Sequence, residues 1–384
     1  MKSELTKRFI ELFGGLTESI RYFHAPGRVN IIGEHIDYNG GYVLPFATDM
    51  GTYALIRIRD DRTVRFASTN FENTAEISLD NISYDEAHDW ANYPKGIIYH
   101  IQQSHKLTGF DVLFCGNIPN GAGLSSSASI ELVMAVAVNN LFNLNYDMID
   151  LVKLAQKSEN NFCGVNCGIM DQFAVGMSRK DHAIYLHCDS LEYKYVPMFL
   201  GDYKIIIMDT NKRRQLNESK YNERRAECEQ ALDILSKECV INQLTDLTPE
   251  TFEKCKHIIK DPVICKRAKH VVFENDRVKL AVEALAEGNL ADLGALLTKS
   301  HASLRHDYEV SCKELDKIVE EALEIPGCLG ARMTGAGFGG CAIALVNKNV
   351  IEHFIETVSL NYEKAIGYAP ALYVCDNGHG AREI

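Results

Sequence analysis

The segment PNGAGLSSSAS (Pro119–Ser129) is a run of small residues that leads directly into an apolar, helix-like segment at Ile130. Gly121 and Gly123 allow the backbone to approach a ligand closely, and the first N–H groups of a helix bind phosphate. No lysine follows the glycines, so the segment is not a Walker A motif, and it has neither the glycine spacing nor the preceding strand of a dinucleotide-binding fold. Two interpretations remain open: a phosphate-binding loop whose serines can also reach Mg²⁺, or a turn capped by serines.

The order of the predicted elements indicates the fold class. Short apolar segments predict strands, and longer segments of helical composition predict helices. The predicted strands are Tyr53–Ile58, Val64–Ala67, Lys204–Asp209 and Cys341–Val346, and the predicted helices are Ile130–Asn143, Asp147–Phe162, Ser219–Leu235 and Val278–Leu297, the last interrupted at Gly288-Asn289. The two types are interleaved without the regular alternation of a doubly wound sheet, which favours an α+β protein of mixed sheets packed with helices.

Length and charge limit the organisation and the partners. At ~150 residues per domain, 384 residues predict two domains, and we place the boundary near residues 179–181, which gives residues 1–180 and 181–384. The net charge of −12 excludes a general basic surface for nucleic acid, so an anionic ligand needs a local site. The apolar runs are too short to span a bilayer, the first residues do not resemble a signal peptide, and the twelve cysteines are dispersed. We therefore predict a soluble, cytoplasmic protein.

A second motif, APGRVNIIGEHIDYNGGYVLP (Ala25–Pro45), concentrates polar side chains between glycines. Carboxylates accept several hydroxyl protons and imidazole can donate or accept, so Glu34, His35 and Asp37 are typical of a pocket for a polyhydroxylated ligand. Taken singly, His35 could be a core histidine and the two acids could belong to a solvated turn. The cluster favours the binding interpretation.

Two further segments carry candidate functional residues. The third glycine motif, RMTGAGFGGCAIALV (Arg332–Val346), predicts either a loop beneath a nucleotide or at the mouth of a site, or a tight turn between layers. In NCGIMDQF (Asn166–Phe173), Asp171 is flanked by Met170 and Phe173. It is a candidate general base, although a partly buried aspartate is more often a cap or an ion-pair partner.

Together these motifs resemble the GHMP kinase superfamily and, within it, the galactokinase family. GRVNIIGEHIDYNGGYVLP is similar to the galactokinase signature, PNGAGLSSSAS resembles the superfamily ATP loop, and RMTGAGFGGC resembles its third motif. The stretches CGIMDQF, SKYNERRAECE and SHASLRHDYEVS are also family-like. The resemblance runs in order over nearly the whole chain, and this collinearity is more specific than any single motif. It implies a two-domain fold with the active site between the domains.

The resemblance also implies an activity and its residues. The activity is phosphorylation of the C1 hydroxyl of α-D-galactose by ATP with Mg²⁺, with no obligate protein partner, nucleic acid or membrane involved. Asp171 would be the base and Arg28 would stabilise the transferring phosphoryl group. The further residues implied are Glu34, His35, Ile36, Asp37 and Tyr221 for the sugar, Ser68, Gly121, Ala122, Gly123, Leu124, Ser125, Ser126 and Ser127 for the nucleotide, and Ser127 and Glu159 for Mg²⁺.

Two positions depart from the commonest family pattern. Ile36 replaces a threonine, and an isoleucine there also resembles N-acetylgalactosamine kinases, so a kinase of that sugar is a competing hypothesis. Ala336 replaces a glycine of the third motif, so we expect an ordinary backbone conformation there. A non-catalytic regulator that binds galactose and ATP is a second competing hypothesis, and a kinase of small alcohols of the mevalonate or homoserine type is a third.

Overall fold

The computed structural model of the protein describes residues 2–119, 123–212 and 217–384. Within them the α-helices are α1 (Lys2–Phe13), α2 (Asn92–Ile101), α3 (Ser126–Phe142), α4 (Met148–Asn161), α5 (Met170–Met177), α6 (Asn217–Leu235), α7 (Pro249–Cys255), α8 (Pro262–Ala286), α9 (Leu290–His306), α10 (Lys313–Leu323) and α11 (Ile351–Ile366). The strands are β1 (Arg21–Asn30), β2 (Tyr42–Val43), β3 (Pro45–Ile58), β4 (Thr63–Ser68), β5 (Ala75–Ser78), β6 (Phe110–Gly116), β7 (His182–His187), β8 (Tyr193–Pro197), β9 (Tyr203–Asp209), β10 (Cys328–Met333), β11 (Cys341–Asn347), β12 (Ala371–Cys375) and β13 (Arg382–Glu383).

A six-stranded sheet supports the N-terminal half of the chain. Its strand order is β13-β1-β3-β6-β4-β5, and the β4–β6 pair is parallel whereas the remaining pairs are antiparallel. Helix α3 packs against β1 and β3, and α1 contacts β3 and β6. Leu5 and Phe9 of α1 form a separate apolar cluster with Leu55 and Leu113, so α1 is held by its own small core.

Helix α3 is buried on nearly all sides, which explains its apolar composition. The segment from Ala128 to Val138 is buried except at Ile130, which is half-buried. The helix begins at Ser126, four residues before the predicted start, because the serines of the loop form its first turn. It ends where Asn143 adopts a left-handed conformation with φ of 51°. The helix therefore starts inside the predicted phosphate loop.

Two smaller sheets complete the fold. The strand order β10-β11-β9-β12 forms a four-stranded antiparallel sheet, and β2-β7-β8 forms a three-stranded one. Helices α9 and α10 contact β10, and α11 contacts β12. The chain returns to the first half at its end, where Asn377 bridges to Thr48 and β13 pairs with β1.

Most of the predicted elements are confirmed, with small shifts at their ends. Asp147 caps α4 by accepting from the N–H of Asp150, and the predicted break at Gly288-Asn289 separates α8 from α9. One expectation was wrong: a strand does precede the loop of small residues, because β6 ends at Gly116. Strand β6 pairs antiparallel with β3 and parallel with β4, so the sheet is mixed and the α+β class still holds.

Among the helices of the described residues, none combines the length and the apolar composition needed to cross a membrane.

Candidate active site

A cavity of about 810 Å³ brings together residues from all three glycine motifs and from α4, α5 and α6. The predicted residues that line it are Arg28, Glu34, His35, Asp37, Gly123, Ser125, Ser126, Ser127, Glu159, Asp171 and Tyr221. Two of them, His35 and Ser125, are non-glycine residues in left-handed backbone conformations, with φ of 61° and 59°. Such strained positions concentrate at functional sites.

Arg28 of β1 and Asp171 in the first turn of α5 form a bidentate ion pair in the cavity wall. Arg28 Nε donates to Asp171 Oδ1 and Nη2 donates to Oδ2, each at 2.7 Å. The Ser125 hydroxyl donates to the same Oδ2 at 2.5 Å, and Arg28 Nη1 donates to the Gly123 carbonyl at 2.8 Å. Burial lowers the pKa of Arg28, but the neighbouring Asp171 outweighs this effect and raises it, so the guanidinium stays charged. The pair therefore joins the base candidate to the predicted phosphate loop.

The carboxylate of Glu34 is almost fully buried and accepts from four donors. Its Oε2 accepts a hydrogen bond from the side-chain amide of Asn30 at 2.8 Å and forms an ion pair with Arg332. Its Oε1 accepts hydrogen bonds from the Thr334 hydroxyl and from the Gly335 N–H, both at 3.0 Å. Burial raises the pKa of Glu34, and the charge of Arg332 opposes this only in part. Because a carboxylate has about four acceptor positions, the acceptors of Glu34 are occupied within the protein.

His35 also has both of its ring nitrogens bonded within the protein. Its Nε2 lies 3.1 Å from the Ala336 carbonyl and its Nδ1 lies 2.7 Å from the Tyr38 hydroxyl. Burial, reinforced by the nearby His270, lowers the pKa of His35 to about 3, so the ring is neutral near pH 7. A hydrogen bond from His35 to a ligand would require one of these bonds to break.

Among the described residues, Asp37 and Tyr221 are the two predicted sugar contacts whose side chains have no side-chain hydrogen-bond partner. Burial, and then the charge of Asp171, raise the pKa of Asp37 to about 6, while its own N–H and that of Tyr38 lower it. Among the described residues, no side chain donates to the Asp37 carboxylate. Burial and then Asp37 raise the pKa of Tyr221 well above its ordinary value. A neutral phenol beside an open carboxylate can bind a ligand hydroxyl at both oxygens.

The predicted phosphate loop leads into the N-terminus of α3, where the N-cap side chain makes no hydrogen bond to the helix backbone. Gly121 and Ala122 lie outside the described residues, and Leu124 is buried and contributes its carbonyl to the N–H of Arg28 at 3.1 Å. Ser125, at the N-cap position of α3, makes no side-chain cap bond, because its hydroxyl donates to Asp171. The first N–H groups of α3 therefore carry no bond from the Ser125 side chain, which favours the anion-binding interpretation over the capped turn.

Ser127 and Glu159, the predicted metal ligands, lie together at the cavity. Burial, and then the charge of Asp171, raise the pKa of Glu159 to about 7, and the Ser127 hydroxyl lowers it by bonding the carboxylate. Gln172 Nε2 donates to Glu159 Oε2 at 2.6 Å. Within the described ranges, no group of three or more His, Cys, Asp or Glu side chains is arranged to hold a metal. Mg²⁺ commonly uses one or two protein oxygens and completes its shell with phosphates and water, so this pair fits it.

Three of the predicted site residues that the structure describes, Ile36, Ser68 and Leu124, do not line this cavity. The side chain of Ile36 is fully buried in the apolar core, although its neighbours Glu34 and Asp37 face the cavity. Ser68, at the end of β4, lines a second cavity of about 870 Å³ next to α1, and its hydroxyl accepts from the N–H of Asn70. The contacts predicted for Ile36, Ser68 and Leu124 stay predictions.

The third glycine motif is both a turn and part of the site. It connects β10 to β11, and Gly335 and Ala336 line the cavity. Ala336 is not among the residues with positive φ, as expected from its side chain, whereas Gly335 and Gly337 both have φ of 78°. The two interpretations of this motif are therefore compatible.

Sequence reasoning missed the residues that hold the motifs together. Arg332 is fully buried, and its Nη1 donates to the carbonyls of Asn30 and Ile31 at 3.1 and 2.8 Å. Tyr308 is fully buried and bonds the hydroxyl of Tyr38 at 2.8 Å. The family-like stretches containing these residues were visible in the sequence, but their partners lie about three hundred positions away.

Three family models match the chain. A model of the galactokinase galactose-binding signature matches residues 7–58, one of the GHMP kinase N-terminal domain matches residues 92–179, and one of the GHMP kinase C-terminal domain matches residues 281–364.

Full-length relatives and solved structures agree with these models. The chain is 55% identical to a galactokinase of Clostridium tetani over 100% of this chain and 97% of that protein, and 53% identical to one of Enterococcus faecalis over 100% of both. The crystal structure of Lactococcus lactis galactokinase complexed with galactose has a TM-score of 0.96 and 46% identity, with 100% of both chains covered. The mevalonate kinase of Methanococcus jannaschii, 20% identical, shares the fold with a TM-score of 0.69 over 94% of this chain and 99% of that one.

Proposed function

The chain belongs to the galactokinase family of the GHMP kinase superfamily, and from this premise we propose that it transfers the γ-phosphoryl group of ATP to the C1 hydroxyl of α-D-galactose. The observation that carries the proposal is the Arg28–Asp171 pair, which joins the polar motif to the start of α3 within one cavity. A base candidate and an anion-binding helix end thus face the same space. This is what transfer between a sugar hydroxyl and a phosphate requires.

Asp171 is the proposed base. Its two oxygens already accept three hydrogen bonds, two from Arg28 and one from Ser125, which leaves room for a substrate hydroxyl. A sugar hydroxyl is a very weak acid, so proton transfer to the carboxylate helps only as the new O1–phosphorus bond forms. In that step the bond from the γ-phosphorus to the bridging oxygen breaks, ADP leaves, and the hydroxyl proton passes to Asp171.

Arg28 is proposed to act on the phosphoryl group through its charge. Its Nη1 already donates to the Gly123 carbonyl of the loop, so the guanidinium lies where the loop meets the base candidate. A buried cation beside the transferring group stabilises the negative charge that spreads over the phosphoryl oxygens. The side chain is only 6% exposed, which limits screening by water.

Ser126 and Ser127 are proposed to bind the ATP phosphates together with the N–H groups of α3, and Ser125, whose hydroxyl donates to Asp171, is proposed to contribute through its backbone. Gly121, Ala122, Gly123 and Leu124 complete this loop in the proposal, and Ser68 remains a proposed nucleotide contact from outside the cavity. Mg²⁺ would be held by Ser127 and Glu159 and would neutralise the charge of the phosphates. Glu159 has a raised pKa, and a cation would favour its ionised form.

Galactose is proposed to bind in the part of the cavity formed by the polar motif and α6. Asp37 and Tyr221 have no side-chain hydrogen-bond partner among the described residues and can bind sugar hydroxyls, whereas Glu34 and His35 are bonded within the protein and would shape the pocket as well as touch the sugar. Ile36 would contribute through its backbone, since its side chain is in the core. The division into residues 1–180 and 181–384, the cytoplasmic location and action without a protein partner are parts of the same proposal.

The decisive experiment is a panel of sugars with MgATP, followed by ³¹P NMR of the product. Galactose should be converted to an anomeric 1-phosphate with release of ADP. Faster turnover of N-acetylgalactosamine than of galactose would reassign the substrate. Binding of galactose and ATP without any product would identify a non-catalytic regulator instead.

A further inference from the structure

Tyr308 follows α9 in the family-like segment SHASLRHDYEVS (300–311), to which the proposed function assigns no role. The residue is fully buried. Its neighbours on both sides are held by Arg267 of α8, whose Nη1 donates to the Asp307 carbonyl at 2.7 Å and whose Nη2 donates to the Glu309 carboxylate at 2.8 Å. This clamp fixes Tyr308 relative to α8.

The ring of Tyr308 contacts two histidines that join the two halves of the chain. Its centroid lies 5.0 Å from that of His35 and 4.5 Å from that of His270. His270 Nε2 donates to the Glu34 carbonyl, and His35 Nε2 donates to the Ala336 carbonyl, both at 3.1 Å. Each imidazole thus connects the polar motif to a C-terminal element, with Tyr308 packed against both.

The hydroxyl of Tyr308 belongs to a chain of hydrogen bonds whose direction is fixed at one end. A carbonyl only accepts, so the neutral His35 carries its proton on Nε2 and accepts at Nδ1. Tyr38 donates to this Nδ1 at 2.7 Å and must therefore accept from the Tyr308 hydroxyl, 2.8 Å away. The Tyr308 oxygen in turn accepts from the thiol of Cys228 at 3.1 Å. Cys228, Tyr308 and Tyr38 therefore each donate to the next group along a chain that ends at His35.

We propose that Tyr308 is a positioning residue, which holds His35 through Tyr38 and so fixes the segment 34–38 against the third glycine motif. This inference rests on the proposed galactose site. Without the Tyr308 hydroxyl, Tyr38 loses its donor and can rotate away from His35. Among the described residues, the bond to Ala336 is then the hydrogen bond that His35 keeps, and the carboxylate of Asp37, two residues away, is less well placed.

The test is Tyr308→Phe, which keeps the ring and removes only the hydroxyl. The KM for galactose should rise about tenfold, since a buried donor is lost next to the sugar pocket, while the KM for ATP should change by less than about twofold. A second readout does not need a substrate. In ¹H–¹⁵N spectra of the histidine rings, the His35 signal is identified by its loss in His35→Gln, and its Nδ1 resonance should move as the bond from Tyr38 weakens.

Matched variants separate positioning from a general loss of stability. Tyr362 is also fully buried and its hydroxyl donates to the Thr210 carbonyl at 2.8 Å, so Tyr362→Phe should leave both KM values and the His35 signal unchanged. Tyr38→Phe should reproduce the effect of Tyr308→Phe, and the double variant should add little. Unchanged galactose KM and His35 signal, or equal changes in both KM values, would overturn the proposal. A wild-type enzyme inactive on galactose would instead refute the proposed function, and the NMR result would still decide the role of Tyr308.

Discussion

Arg28 and Asp171, 143 positions apart in the chain, meet through two parallel hydrogen bonds of 2.7 Å each. This bidentate geometry fixes the plane of the carboxylate, because both guanidinium donors and both oxygens must lie nearly in one plane. The side chain of Asp171 is nevertheless 30% exposed, whereas that of Arg28 is 6% exposed. The arginine orients the carboxylate from inside the protein while the acid keeps access to the cavity.

Asp171→Asn should lower kcat by about 10²-fold or more, because the amide keeps the shape but does not accept the proton. Galactose and ATP should still bind, as measured by calorimetry. Asp80→Asn is a matched control, since Asp80 is a surface aspartate paired with Arg62 at 2.6 Å. Its kcat should equal that of the wild type. Near-normal turnover of Asp171→Asn would remove this residue from the role of base.

Glu34→Ala should raise the galactose KM and also destabilise the protein. The substitution leaves Arg332 fully buried without its counter-charge, and breaking a buried pair in this way costs about 3–5 kcal/mol. Denaturant unfolding measures the loss of stability. In the exposed pair of Arg21 and Glu383, Glu383→Ala should cost about 1 kcal/mol or less. A change in the ATP KM with an unchanged galactose KM would show that Glu34 acts at the nucleotide and not at the sugar, and would contradict the prediction.

The galactose KM should rise as the pH falls below about 6, because the pKa of Asp37 is raised to about 6 and its protonation removes acceptors for the sugar. In Asp37→Asn this dependence should disappear from kinetics measured between about pH 5 and 8. The contribution of Asp37 to folding stability changes with pH in the opposite direction from its contribution to galactose binding. The folded-state pKa lies above the ordinary value of 3.8, so the stability linked to this group is present at low pH and is lost as the pH rises through about 6. A pH profile that Asp37→Asn leaves unchanged would contradict this assignment.

Local features of the sequence predicted the elements, since caps and breaks depend on adjacent residues. The helix break at Gly288-Asn289 coincides with a glycine at φ of 69° and an asparagine cap. The tertiary partners could not be read in the same way. Arg332 reaches the Ile31 carbonyl across 301 positions, and nothing in the local sequence names that acceptor. Ile36 was grouped with its polar neighbours, but a short 3₁₀ turn begins directly after it and its side chain enters the core.

The backbone of Gly168 lies directly against the carboxylate of Asp37. A Cβ atom at Gly168 would be 2.0 Å from Asp37 Oδ2 and 2.8 Å from its Cγ, far inside van der Waals contact. The φ of Gly168 is not in the left-handed region, so an alanine there would force the Asp37 carboxylate to shift but would not strain the backbone. Gly168 thus determines how deeply Asp37 can sit between the polar motif and the segment that leads to Asp171.

Gly168→Ala should therefore displace Asp37 and raise the galactose KM by about tenfold or more, since a shift of about 1 Å at a binding group is enough to lose its hydrogen bonds. The ATP KM should change little. Gly116→Ala is the matched control, because its Cβ would meet its nearest atoms at 3.8 Å, an ordinary contact, although this glycine also lies close to the phosphate loop in sequence. Combining Gly168→Ala with Asp37→Asn should add little to either single change if the methyl group acts through Asp37. Fully additive effects on the galactose KM would show that the Gly168→Ala substitution does not act through Asp37.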